Sequence, residues 1–194
     1  NDHAIANGHL GLDDGADRHY CLSRDFRPGE TMPDYLLSYG GAVTPTHVYK
    51  TECARATGWD EELLRHQDYD FSIRFADRFV FRPSREVTCI VHAKRGVRRT
   101  CHVASQIWFM EKHGTRIAPN LRYRYYVEHL AALEAEDAPA DQIDFFRHGM
   151  REALRAMSYP QFLSVSPWSG YRLARLIHKV RYAWLRAIEG YQKR

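Results

Sequence analysis

The run His66-Gln67-Asp68-Tyr69-Asp70, closed by Arg74, is the densest group of titratable side chains in the sequence. A helix opening near Gln67 would place both carboxylates in its first turn, where the positive end of the helix dipole favours the ionised form. An ionised acid held there is a candidate general base, able to take the proton of a hydroxyl as that hydroxyl attacks. The plainer reading is that Asp68 and Asp70 only cap the helix, with Arg74 pairing to Asp70 four residues on. His92 is a second candidate. It precedes the loop 93–99, in which Lys94, Arg95, Arg98 and Arg99 supply four positive charges and no acid. Arginine offers paired donors to phosphate and Gly96 offers a bend, so such a loop could close over phosphates. Its plain alternative is a solvated loop beside a surface histidine. Cys89, His92, Cys101 and His102 fall within 14 positions and Cys89-x-x-His92 is a tolerable zinc half-site, but Cys101 and His102 are adjacent and poorly placed to reach one metal together.

The elements that must position these residues change character along the chain. Residues 1–40 are rich in turn formers (Asn7-Gly8, Asp13-Asp14-Gly15, Arg27-Pro28-Gly29) and read as loops around short strands. A helix is expected from Thr44-Pro45-Thr46 through Cys53 to a glycine cap at Gly58, and a second from Gln67 to Asp77. Phe79-Val80-Phe81 and Val87 to Val91 read as strands. After Arg99 the apolar spacing is helical throughout, with breaks at 114–120, 137–140 and 158–167. The expected organisation is therefore a mixed α and β part over 1–100 and an all-helical part over 101–194.

Composition bounds the function. With 194 residues, 44% hydrophobic and 27% charged, the chain has the make-up of an ordinary globular protein of one domain and a fraction. No apolar run is long enough to span a bilayer, and four cysteines without a C-x-x-C pair fit a reduced, cytoplasmic setting. The net charge of +4 comes from the tail: 171–194 holds seven basic residues against Glu189 alone, leaving 21 basic and 23 acidic before it. That distribution does not support a nucleic-acid binder. The tail's basic helix, with Trp184 on its apolar face, suits either peripheral contact with an anionic inner membrane face or packing on neighbouring helices with its basic face in water.

Gly58-Trp59-Asp60-Glu61 feeding into Gln67-Asp68, then Phe79 to Pro83 and Ile90-Val91-His92, resembles the acceptor-side half of glycosyltransferase family 2 enzymes. The resemblance covers about 1–100. It implies a partial GT-A fold, of the nucleotide-diphospho-sugar transferase kind, followed by a helical extension. It further implies an inverting transfer of a sugar from a nucleotide-sugar donor to a hydroxyl of a glycan or lipid-linked acceptor, as in polysaccharide synthesis. On this resemblance Asp68 is the catalytic base and Trp59 and Gln67 line the acceptor pocket. His92 is a ligand of a divalent metal, Mn²⁺ or Mg²⁺, and Lys94, Arg95 and Arg98 meet the donor's phosphates. Asp70 is assigned to holding the helix start. The family's nucleotide-binding half and its Asp-rich motif have no counterpart here, so the 194 residues alone are expected to be inactive. The rival expectation is a non-enzymatic helical module that binds a protein partner.

Overall fold

The computed structural model of this chain describes residues 3–6, 9–13, 18–21, 24–39, 43–84, 87–92 and 102–165. Two compact units divide after Arg116. In chain order the first carries β1 (His3–Ala6), β2 (His9–Asp13), β3 (Arg18–Cys21) and α1 (Met32–Tyr39). A 3-10 turn (Thr44–Thr46), β4 (His47–Val48), α2 (Thr51–Thr57) and α3 (Gln67–Ala76) follow. It ends with β5 (Val80–Arg82), β6 (Val87–His92) and α4 (Val103–His113). The second carries α5 (Pro119–Ala135), α6 (Ala140–Arg155) and α7 (Tyr159–Ser164).

The strands form two three-stranded sheets, each combining an antiparallel and a parallel pair. β1 lies between β4 and β5, antiparallel to the first and parallel to the second, with Ile5 opposite Val48 and Arg82. β2 lies between β3 and β6 in the same manner, and the parallel register sets Asp13 opposite His92. The first unit therefore mixes helices with strands, and the described residues from Val103 onward are helical.

The helix expected from Thr44 to Gly58 is three elements. Thr44-Pro45-Thr46 makes one 3-10 turn, His47-Val48 pairs with β1, and only Thr51–Thr57 is α-helical. A β-branched and aromatic stretch, Val48-Tyr49, and an open sheet edge outweigh a favourable cap and proline. Gly58 does end the helix, at φ 65° and ψ 160°, a region essentially restricted to glycine. The short α1 falls where turn residues had suggested loop. Pro33 sits in its first turn, the Thr31 hydroxyl accepts the Asp34 N–H at 3.3 Å, and Tyr35 and Leu36 are fully buried. The buried residues of α1, Met32, Pro33, Tyr35 and Leu36, span little more than one turn, too short a period to stand out from the turn formers before it.

The core of the first unit is aromatic. Phe71 and Phe75 of α3 are buried with Ile73, Phe81 and Phe109. Trp59 stacks on Phe71 at 4.3 Å between centroids, and Phe75 continues the column to Phe79 at 5.0 Å. Tyr49 tilts against both Phe71 and Phe75. This column fixes α3 against α2 and the residues leading out of Gly58. In the second unit α5 and α6 pack through Tyr123, Val127, Leu130 and Phe146. Gly149 meets the Tyr126 ring so closely that a Cβ there would lie 2.3 Å from it.

Candidate functional site

Asp68 and Asp70 both stand in the first turn of α3, which begins at Gln67 as the polar run suggests. Their environments are opposite. The side chain of Asp70 is fully buried and surrounded by donors: His113 Nε2 at 2.8 Å and Lys112 Nζ at 2.9 Å on Oδ1, Arg74 Nε at 2.8 Å on Oδ2. Burial alone would raise its pKa, but the hydrogen bonds from His113, Arg74 and Lys112 outweigh that and hold it well below the carboxylate range. The Arg74 guanidinium also donates to the carbonyls of Thr57 and Gly58, so it ties the start of α3 to the end of α2. Asp70 is a locked structural anion rather than a cap, and the pairing with Arg74 is one part of a larger cluster.

Asp68 is different in kind. Burial pushes its pKa up, and the N–H groups of Tyr69, of Asp68 itself and of Thr44 offset this in part, helped by the charge of Arg65. The Tyr69 N–H donates to Oδ1 at 3.0 Å. Among the described residues no cation lies in ion-pair contact with it. The result is a carboxylate with raised proton affinity, oriented by backbone donors and not neutralised by a partner. Two neighbouring acids whose pKa values are pushed apart are the usual arrangement for dividing structural from proton-accepting work.

Beside this turn lies an open cleft of about 290 Å³ lined by Thr44, Trp59, Asp60, Leu63 and Gln67. Trp59 rests one face on Phe71 and keeps 42% of its surface exposed. Thr44 both lines the cleft and gives its N–H to Asp68. Trp59 and Gln67, singled out in sequence, both line the cleft; Asp68 does not line it, and reaches it only through its neighbour Gln67 and the Thr44 N–H. Asp60, Leu63 and Thr44 were not singled out as site residues. Asp60 stood within the quoted run, whereas Thr44 carried only the signature of a helix start.

Tyr49 and His47 complete the surroundings. His47 Nδ1 lies 2.6 Å from the Tyr49 hydroxyl, and its Nε2 is buried without a partner. Burial lowers the His47 pKa to about 4, because a proton on Nε2 would find no acceptor. Burial and the nearby charge of Asp68 together push the Tyr49 phenol up.

The other sequence candidates are placed less fully. His92 ends β6, and its backbone register sets it opposite Asp13. Lys94, Arg95 and Arg98, and the basic segment 171–194 expected to be helical, lie outside the described residues, as does Cys101. His102 of the zinc half-site is occupied otherwise: it precedes α4, and its Nδ1 accepts the Ser105 N–H at 3.3 Å. Among the described residues no group of three or more His, Cys, Asp or Glu side chains is arranged to hold a metal. Among them, too, no helix is long and apolar enough to cross a membrane. No family model, curated protein or solved structure matches the chain.

Proposed function

We propose that the first unit is the acceptor-side part of an inverting, family 2 type glycosyltransferase of GT-A fold, with Asp68 as its general base. The observation that supports this best is the contrast at the start of α3: Asp70 is pinned by three cationic or imidazole donors, while Asp68 has a raised pKa beside an open, tryptophan-lined cleft. A hydroxyl of a glycan or lipid-linked acceptor in the cleft attacks the anomeric carbon of the nucleotide-sugar. The bond from that carbon to the diphosphate breaks, the nucleoside diphosphate departs with the electron pair, and the acceptor's proton passes to Asp68. Attack opposite the leaving group inverts the anomeric centre.

The family reading also carries a divalent cation, Mn²⁺ or Mg²⁺, which would steady the departing diphosphate. The described side chains offer no ligand set for it, and His92 is placed by its backbone register alone, opposite Asp13. His92→Ala is expected to weaken metal-dependent nucleotide binding while leaving acceptor binding unchanged, as read by calorimetric titration of Mn²⁺ with a nucleoside diphosphate. Metal dependence equal to wild type would return His92 to an ordinary surface role.

The deciding experiment is Asp68→Asn in the complete enzyme, assayed with a panel of nucleotide-sugars. Amide and carboxylate have nearly the same size, but only the carboxylate takes the proton, so turnover should fall by about 10² to 10⁴. Turnover above a tenth of wild type, with both substrates saturating, would remove Asp68 from the chemistry. A helical protein-interaction module is the second reading, favoured by Tyr159 and Phe162, exposed at 74% and 44% on the short α7. On that reading Asp68→Asn changes no measurable activity.

A further inference from the structure

α4 belongs by sequence to the helical stretch behind the α/β part, yet one of its faces grips the segment that builds the cleft. Ser105, Phe109, Lys112 and His113 are spaced i, i+4, i+7 and i+8, which puts them on one side of the helix. The Ser105 hydroxyl oxygen accepts the N–H groups of Leu64 and Arg65 at 3.2 and 3.3 Å. These donors lie in the irregular stretch between Trp59 and Gln67, where no helix or strand ladder takes them. Phe109 packs on His66 at 5.0 Å and on Tyr69 at 6.1 Å, bracketing Gln67 and Asp68. His113 closes on Asp70.

Lys112 reaches furthest. Its ammonium lies 2.9 Å from Asp70 Oδ1, 3.2 Å from Asp60 Oδ2 and 4.1 Å from the centre of the Trp108 ring. Asp70 is fully buried and also held by Arg74 and His113, so the ammonium is anchored at one end and at the other holds the carboxylate of Asp60, a residue of the cleft wall. The second oxygen of Asp60 accepts the Glu62 N–H at 3.2 Å, which fixes the plane of the group.

We infer that Lys112 is a positioning residue of the cleft, its ammonium setting the Asp60 carboxylate beside Trp59 as an acceptor for ligand hydroxyls. This rests on the acceptor-cleft reading and narrows it. A carboxylate paired with an ammonium exerts little net pull on a charged ligand of either sign, but still accepts hydrogen bonds from hydroxyls. With the tryptophan beside it, the cleft suits an uncharged, polyhydroxylated ring. Lys112 touches no reacting atom, and acts through Asp60.

The test uses the full chain labelled with 5-fluorotryptophan, the Trp59 fluorine resonance being assigned by its loss in Trp59→Phe. Lys112→Met is expected to shift or broaden that resonance, and Lys112→Arg, which keeps the charge, to bring it back towards wild type. Thermal unfolding on the same samples shows that the comparison is between folded proteins. Should Lys112→Met not fold, Asp60→Asn cuts the bridge at its exposed end without touching Asp70, and should move the Trp59 resonance likewise. A Trp59 resonance at its wild-type position in folded Lys112→Met, or in Asp60→Asn when that variant alone folds, overturns the inference. The two readings fail separately: full turnover in Asp68→Asn with a displaced Trp59 resonance in Lys112→Met would sink the transferase reading and leave the positioning role standing.

Discussion

At the scale of single residues, two acids of the same type, two positions apart, carry opposite energetic signs. Asp68 is held partly out of water, and its backbone donors and the charge of Arg65 only partly offset this, so folding disfavours its charged form. Asp70 is so surrounded by donors that folding favours its charge. Asn in place of Asp68 should therefore stabilise the protein at neutral pH while removing turnover, the trade expected where a site keeps a strained group for its chemistry. Asn in place of Asp70 should destabilise by about 3–5 kcal/mol, because Arg74, Lys112 and His113 lose the charge they were arranged around. Urea unfolding of the two variants at pH 7 checks both signs at once. If both variants lose stability, Asp68 is a structural acid like its neighbour. The local residues place both carboxylates at a helix start, and only the family resemblance tells them apart, because the partners that separate them physically, Lys112 and His113, lie more than forty residues away.

At the scale of elements, what was legible followed from local preference and what was not followed from pairing. α3 begins at Gln67 and α2 ends at Gly58 because a polar first turn and a glycine cap are properties of a few adjacent residues. β4 was hidden inside an apparent helix because its two residues become a strand only through β1. α4 was read with the helical extension, whereas its ties to α3 run through single polar contacts that leave no periodicity in sequence, and the compact unit closes after it. Two glycines test the elements directly. Gly58→Ala finds no atom within 4 Å of the new Cβ, so any loss comes from its backbone, which should cost about 1–3 kcal/mol. Gly149→Ala has ordinary helical backbone but drives a methyl into the Tyr126 ring, and should cost a similar amount through overpacking, on the order of 1–3 kcal/mol. The double variant Gly149→Ala with Tyr126→Ala should recover part of the second loss, since removing the ring removes the clash. Differential denaturation curves for these variants separate a strained backbone from a crowded interface.

At the scale of the whole molecule, the buried ionisable groups of the first unit set how stability answers to acid. His47 is half-buried against Tyr49 and Phe81, with Nε2 shielded and lacking a partner among the described residues, and its pKa is lowered from the ordinary 6.5 to about 4. Above pH 6.5 the ring is neutral both folded and unfolded, and the full stability is present. As the pH falls below 6.5 the unfolded chain takes the proton first, so stability is lost progressively until the folded ring also protonates near pH 4. The loss over that window is on the order of 3 kcal/mol. Asp70 adds a second loss at lower pH, below the ordinary carboxylate pKa, because its folded pKa is depressed and the unfolded chain again protonates first. Asp68 acts in the reverse sense, since its folded pKa is raised and protonation relieves it as the pH falls through that value. Denaturation midpoints measured from pH 7.5 to 3 should therefore drop between 6.5 and 4 and drop again below. His47→Phe keeps a ring against Phe81 and removes the titrating nitrogen, so its curve should no longer fall between 6.5 and 4, staying level or rising slightly as Asp68 takes its proton, and should still fall at lower pH. An unchanged slope in that variant would show that the acid response of this range arises elsewhere, and that the buried nitrogen of His47 is accommodated in its charged form.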